Sequence, residues 1–423
     1  MSTHNTTRLI ATLALATTVT TARALDIHVP ADHVLIELAI ANAADGDVVI
    51  VAPGTYFEHD LDLGGKAITV TSSGGPATTT IDALGLGHIF IATGGEGADT
   101  VIEGFTLTGG DATGGPNSGD DRGGGIWIEN SSPTVRNCTF RMNDAVFGGA
   151  MWINGGAPSI EDCVFDDNFS TLRGGAVYLN NADGTQITGC LFTLNEAGTS
   201  GAGISSYEST ATVRRSEFRN NDAAFDGDGI YNVAFSTMLV VNSVFHGDDD
   251  AFYNGANTTM NVVNCTSTDS FRNSGFGTLN VTNCVVWDAT IDINDSVSVS
   301  YSMVQGGYPG GTNNLDPAEG PLFVDEAGGD LRLQEMSAAV DAGNSAAVTG
   351  VFPEYAVDFD GNTRVVDAPK DDTGLAVFSL TIDMGAYEVQ SGPLVTCPAD
   401  VNGDNEVGIE DFLALLGAWG PCP

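Results

Sequence analysis

Two short motifs alternate through the middle of the chain at a fixed step, and such a step is the strongest constraint a sequence places on its fold. The first is glycine-rich and closes on an aliphatic residue: Gly124-Gly125-Ile126, Gly148-Gly149-Ala150-Met151, Gly174-Gly175-Ala176-Val177, Gly201-Ala202-Gly203-Ile204 and Gly227-Asp228-Gly229-Ile230. The closing residues stand at 126, 151, 177, 204 and 230, a step of 25 to 27. The second motif is Phe-x-x-Asn, at Phe140–Asn143, Phe165–Asn168, Phe192–Asn195 and Phe218–Asn221, with Phe245 next. Each unit therefore holds two short strand-like stretches between glycine or polar corners. A leucine-rich repeat needs its leucines and a propeller blade needs about forty residues, so neither fits. A parallel β-helix, with one coil per repeat, does.

Alternation assigns the faces of each coil. Cys138 and Phe140 share one face, followed at the same place by Cys163 and Phe165, Cys190 and Phe192, Ser216 and Phe218, and Ser243 and Phe245. Cys265 and Cys284 occupy that place at shorter steps, so the later coils are smaller. Five of the 7 cysteines thus read as a ladder of small buried residues alternating with serine. Rungs ~4.8 Å apart with parallel side chains are a poor geometry for disulfides. The asparagines of Phe-x-x-Asn read as a stacked amide ladder bonded to backbone turns. Upstream, 33–44 has the pattern of an amphipathic helix, with Val34, Leu35, Leu38, Ala39 and Ala41 available for one face. Such a helix would cap the open end of the solenoid.

Residues 1–24 combine Arg8, an apolar run from Leu9 to Ala22 and the pattern Ala22-Arg23-Ala24, the parts of a secretory signal. The run is too short and too rich in threonine to span a bilayer, so the expected product is exported, not membrane-spanning, and monomeric. With 55 acidic and 14 basic side chains the formal charge is −41, which excludes nucleic-acid and anionic-membrane partners. Cations are the natural counterpart.

Gly-Gly-Ala-Ile paired with Phe-x-x-Asn resembles the polymorphic outer-membrane-protein type of right-handed parallel β-helix. The entry 44–56, Ala-Asp-Gly-Asp-Val-Val-Ile-Val-Ala-Pro-Gly-Thr-Tyr, and Gly104-Phe105-Thr106-Leu107-Thr108-Gly109-Gly110 resemble coils of pectin-lyase-like β-helices. Asp316-Pro317, Pro321-Leu322-Phe323-Val324, Gly329-Asp330-Leu331-Arg332-Leu333, Ser337, Asp341-Ala342-Gly343 and Asp383-Met384-Gly385-Ala386-Tyr387-Glu388 resemble the closing segment of choice-of-anchor Q surface proteins, with Ala338 where that family usually has proline. At the C-terminus, Asp400, Asn402 and Asp404 stand at positions 1, 3 and 5 of a loop whose position 12 is Asp411, with the Glu406 carbonyl available at position 7. That spacing suits a hard cation such as Ca2+, and the unit is similar to a single GC-type dockerin repeat. Asn405 replaces the usual turn glycine, and a cohesin-binding dockerin would carry two repeats. Cys397 and Cys422 flank the unit and are the expected disulfide, worth roughly 3 kcal/mol in so small a unit.

The resulting expectation is an all-β, single-stranded right-handed parallel β-helix solenoid with an N-terminal helical cap and a small C-terminal EF-hand-like calcium loop-helix unit. Its divisions are a signal peptide (1–24), the β-helix with its cap (25–305), the closing segment (306–390) and the dockerin-like anchor (391–423).

Chemistry is less determined. A lyase acting beside a uronate carboxylate needs a base and a cation, and no lysine occurs between Lys66 and Lys370. Arg136, Arg141, Arg173, Arg214, Arg215, Arg219 and Arg272 remain, and Asp166, Asp167, Asp226, Asp228 and Asp248-Asp249-Asp250 offer calcium ligands, paired carboxylates or solvated turns. The polygalacturonase signatures are absent. Trp127, Trp152, Tyr178, Ser205 and Tyr231, with Tyr253 in a comparable place, follow the glycine motif on the outward side. They form either a platform for sugar rings or a purely stabilising stack. A second outward stripe, Val164, Leu191, Val241, Val244, Val263 and Val285, requires a cover, for which 306–390 is the candidate. The leading expectation is a polysaccharide-binding or adhesion module of the cell surface, with a polysaccharide or cell-surface component and a cohesin-like or envelope anchor as partners. The alternative is a polysaccharide lyase or glycoside hydrolase.

Overall fold

A computed structural model describes residues 24–114, 121–345, 357–364 and 382–389. The signal segment, apart from its last residue, and the whole dockerin-like unit, with Asp400, Asn402, Asp404, Glu406, Asp411, Cys397 and Cys422, lie outside the described residues.

The chain winds as a parallel β-helix. Its strands stack into four parallel sheets, numbered here in the order one coil visits them: Thr134–Arg136, Thr139–Arg141, Asp144–Phe147 and Met151–Asn154 lead to the next coil at Ser159–Glu161. Among the described residues sheet 1 has 12 strands, sheet 2 has 11, sheet 3 has 5 and sheet 4 has 9. Sheet 3 ends at Asp222–Ala223. The next coils lack that side, which is why their step shortens from Val244 to Thr266 to Val285 to Met303.

A full coil therefore has up to four strands where the sequence suggested two. The missed break is a one-residue corner between sheets 1 and 2, filled by Gly104, Asn137, Asp162, Gly189, Arg215, Asn242, Asn264, Asn283 and Tyr301, all at positive φ. Left-handed backbone is tolerated best by glycine and asparagine, hence the composition of this column. From Asn137 onward the side chain after the corner points inward and is short, whereas Phe105 follows Gly104. Cys138 Sγ donates to the Arg136 carbonyl (3.3 Å), Ser216 Oγ to that of Arg214 (3.0 Å) and Ser243 Oγ to that of Val241 (3.0 Å). Thiol and hydroxyl make the same bond two residues back, so cysteine and serine interchange along the ladder. Cys138, Cys163, Cys190, Cys265 and Cys284 are buried free thiols, as expected.

Inside, Phe140, Phe165, Phe192, Phe218 and Phe245 stack with centroids 4.9, 4.7, 4.6 and 4.8 Å apart and planes within 8°. The asparagine ladder also forms: Nδ2 of Asn143, Asn168 and Asn195 each donates to Oδ1 of the next rung at 3.0, 2.9 and 2.9 Å. At the glycine corner beside sheet 4 a side chain has no room. Gly148 has φ +65°, and a Cβ there would lie 2.2 Å from the Met151 carbonyl.

The helix is shorter than expected, Ile36–Asn42, and buries Ile36, Ala39 and Ile40, of which only Ala39 belongs to the expected face. Val34, Leu35 and Leu38 are exposed. The reason is its start: the Glu58 carboxylate accepts from the main-chain N–H of Ile36 and Glu37, both at 2.9 Å, fixing the first turn three residues later than the pattern implied.

The predicted cover is present. Phe323, Leu331, Leu333, Ala339, Val340, Ala342, Met384 and Ala386 bury Val244, Val285 and Met303 of sheet 2, and Ile382 covers Val241. Val164, Leu191 and Val263 stay half-buried, outside these clusters. Corner asparagines hold the segment: Asn283 exchanges bonds with Asn344 (2.8 and 3.1 Å), and Asn242 Nδ2 donates to the Val357 carbonyl (2.6 Å). Arg364, fully buried, pins the end by donating to the Gly385 and Asp383 carbonyls (2.6 and 3.3 Å) and to Glu388 (3.5 Å).

Candidate functional site

Sheet 4 carries the predicted aromatic column in register, Trp127↔Trp152↔Tyr178↔Ser205↔Tyr231↔Tyr253. Facing it across the glycine corner runs a second column of paired residues, Arg122↔Phe147 and Arg173↔Ser200↔Asp226. The two columns make the walls of a bend, and the second covers part of the first. The Arg122 guanidinium lies 4.6 Å from the Trp152 ring centre, and Phe147 packs on Tyr178 at 5.1 Å. Trp152 and Tyr178 are consequently only 3% and 8% exposed, which removes them as an open platform. Trp127 is half-buried between Trp152 (6.4 Å) and His88 (5.3 Å). His88 itself is held through Nδ1 and the Gly123 carbonyl at 2.8 Å.

The column is partly accessible at Trp127 and again beyond its gap at Ser205. Tyr231 and Tyr253 are half-exposed and stack at 5.4 Å with planes 18° apart. Arg173 spans the gap, its guanidinium 5.5 Å from the Tyr231 ring and hydrogen-bonded to Tyr178. On the other side, Arg272 joins Asp226 (3.0 Å) and Asp250 (2.9 Å). Burial pushes the Tyr253 hydroxyl and the Asp250 carboxyl above their usual ranges, and Arg272 opposes the shift on Asp250. Of the four aromatics singled out from sequence, Tyr231 alone sits in this open stretch with Tyr253. Arg122 and Arg173 have no carboxylate partner among the described residues.

The other candidate ions are dispersed. Arg136 pairs with Glu103 (3.0 Å) and Arg141 with Asp166 (3.3 Å) on the outer faces. The run Asp248-Asp249-Asp250 does not converge: Asp248 is buried, whereas Asp250 turns to Arg272. Among the described residues no group of three or more His, Cys, Asp and Glu is placed to hold a metal ion.

One grouping escaped the sequence reading. On the outer face of sheet 2, His246 Nε2 meets Glu217 Oε1 at 2.9 Å, and Arg219 reaches the same oxygen at 3.3 Å. The bond from His246 holds the Glu217 carboxyl below its usual range. An ionised carboxylate only accepts, so Nε2 is the donor of this bond. Arg219 and His246 border a cleft of about 810 Å³ lined also by Thr193, Thr268, Asp288 and Glu326. Burial, and then Asp288, pushes the Glu326 carboxyl up. A signal existed, since Glu217, Arg219 and His246 occupy the two outward places flanking the ladder phenylalanines Phe218 and Phe245.

A family model described as the right handed beta helix region matches residues 97–192 and 124–305. The chain is a right-handed parallel β-helix. Among curated proteins none matches the sequence significantly. Solved structures similar to this β-helix include pectate lyase Pel9A, at 16% identity and TM-score 0.45, covering 84% of this chain and 90% of that one. Another is the catalytic unit of a thermostable GH87 alpha-1,3-glucanase from Streptomyces thermodiastaticus strain HF3-3, at 15% identity and TM-score 0.38, covering 67% and 62%. A PL6 family alginate lyase matches at 14% identity and TM-score 0.30, covering 70% and 50%. Among the described residues of the β-helix, no helix is long and apolar enough to cross a membrane.

Proposed function

We propose that this β-helix is an exported, surface-associated polysaccharide-binding or adhesion protein that takes a glycan along sheet 4. The observation that carries the reading is the half-exposed Tyr231–Tyr253 stack, bordered by Arg173 and by the Asp226–Arg272–Asp250 group. Aromatic faces supply apolar contact to a sugar ring, and flanking ions orient its hydroxyls. Rungs ~4.8 Å apart come close to the length of one sugar residue. Arg122 and Arg173, cationic on a chain of charge −41, favour a glycan bearing carboxylate or sulfate. Affinity electrophoresis in gels holding neutral and acidic polysaccharides tests this. A Tyr231→Ala, Tyr253→Ala double variant is expected to lose retardation, and unchanged retardation on every retained glycan refutes the reading.

The remaining parts of the proposal rest on sequence. The helix Ile36–Asn42 closes the first coil. The loop of Asp400, Asn402, Asp404, Glu406 and Asp411 takes Ca2+, Cys397 and Cys422 close the unit around it, and the unit anchors the β-helix to a cohesin-like or envelope partner.

A second reading, a lyase or hydrolase acting on acidic polysaccharides, is favoured by the His246 cleft. There His246 is the candidate base, Arg219 the counter-ion for a substrate carboxylate, and Glu326, pushed up by burial, the candidate acid. Ultraviolet absorbance from an unsaturated product on pectate or alginate, lost in His246→Gln, would establish the lyase form of this reading.

A further inference from the structure

The amide ladder ends on two acids. In each asparagine rung, Oδ1 accepts from the previous rung, and Nδ2 donates onward and also to a sheet 2 carbonyl: Asn168 to Phe140 (3.0 Å), Asn195 to Phe165 (2.9 Å), Asn221 to Phe192 (3.1 Å). The next rung is Asp248. Its carboxyl takes the accepting half of the pattern, from Asn221 N (2.5 Å) and Asn221 Nδ2 (3.4 Å). Both of its oxygens are taken up as acceptors toward Asn221, and where every preceding rung supplies an amide hydrogen to a sheet 2 carbonyl this rung has no N–H. A carboxylate has no hydrogen to supply; a carboxylic acid has one. The following rung, Asp269, accepts from the main-chain N–H of Asp248 and Gly247. Asp269 is 3% exposed, and its Oδ2 has no partner.

The groups that face this pair are Asn221 on the preceding coil, Asp228 beside it and His246 on sheet 2. Asp228, 7% exposed, accepts from the N–H groups of Ala223 (2.9 Å), Asp249 (3.0 Å) and Asp250 (3.0 Å), fixing the chain from the ladder to the Asp250–Arg272 pair beside Tyr253.

We propose that the acidic end of the ladder is a proton-binding site: Asp248 is held as the neutral acid, and Asp269 takes up a second proton as the medium acidifies, tightening the coil that presents Tyr231 and Tyr253. The second half rests on the glycan-binding reading; the first does not. Burial and then Asp269 push the Asp248 carboxyl well up, and burial raises Asp269 to about 7. A carboxyl raised in the folded state stabilises the fold when protonated, and that stability is lost as pH rises through the raised value. Above it, each pH unit shifts the folded-to-unfolded ratio up to roughly tenfold per proton.

The test is urea unfolding of the full chain from about pH 5.5 to about pH 8.5, with hydrogen exchange at residues 244–273, for wild type, Asp269→Asn and Asp248→Asn. The wild type is expected to lose stability through about pH 7 and to exchange faster in this stretch. Asp269→Asn is expected to lose that step, and Asp248→Asn to be at least as stable as wild type at the alkaline end. A wild type that is flat or gains stability with rising pH, or an Asp269→Asn variant with the same step, overturns the proton site. Retardation on a bound polysaccharide at the two pH limits then reads the coupling: equal retardation overturns it. No retardation at either pH sinks the glycan reading, while the unfolding data still decide the proton site.

Discussion

The phenylalanine ladder gives the sharpest prediction about what holds the coils together. Phe192 sits mid-column, stacked on Phe165 at 4.7 Å and on Phe218 at 4.6 Å, and is fully buried. Truncating a buried phenylalanine to alanine costs about 3–5 kcal/mol in lost burial and cavity. Each stacked neighbour adds about 0.5–1.5 kcal/mol beyond area. With a neighbour on both sides, Phe192→Ala is expected to cost about 5 kcal/mol. Phe140, with one parallel-stacked neighbour at 4.9 Å, is expected to cost about 1 kcal/mol less. Urea denaturation followed by circular dichroism measures both, and hydrogen exchange locates the loosened coils. A loss below about 2 kcal/mol for Phe192→Ala, or an equal or larger loss for Phe140→Ala, refutes the claim that the ladder acts through two-sided stacking.

Four further outcomes are expected, two from the structure and two from the sequence. Arg364→Ala removes a fully buried cation that holds the Gly385 and Asp383 carbonyls and Glu388, at a cost of about 3–5 kcal/mol, so limited proteolysis is expected to cut within 306–389 while the coils survive. In the wild type that docking should weaken as pH rises through about 6, because burial raises Asp383 to about 6 and its proton stabilises the fold; release at equal rates at about pH 5 and about pH 7.5 contradicts this. Thiol titration of the denatured, unreduced chain should count five groups, the buried Cys138, Cys163, Cys190, Cys265 and Cys284, with Cys397 and Cys422 bridged; a count of seven rejects the bridge. Calorimetric titration of the full, chelator-stripped chain with calcium should show binding that Asp404→Ala and Asp411→Ala weaken at least tenfold, roughly 1.4 kcal/mol, and absence of any heat dismisses the loop assignment.

Much of the inner surface was legible because each coil repeats the environment of the last. Cys138, Cys163 and Cys190 recur with Phe140, Phe165 and Phe192 since one inward slot accepts one size of side chain. The corner at Asn137 was overlooked although it breaks the alternation: Val135 and Cys138 both point inward three residues apart, because one left-handed residue shifts the phase of the strand. The helix face was misread for another reason: Glu58, distant in sequence, fixes where the first turn begins.

Outward residues obey no such local rule. Trp152 and Tyr178 look as available in the sequence as Tyr231, and only the facing column, Arg122 and Phe147 against Arg173 and Ser200, decides which are covered. Glu217 and His246 meet from adjacent coils, so their pairing depends on register. The sequence by itself determined the period, the coil and the ladders, because those follow from short-range pattern repeated at a constant step. The tertiary structure alone decided exposure and charge environment, making Asp248 a buried rung and Asp250 a partner of Arg272, because burial is a property of what packs on a residue rather than of its neighbours along the chain.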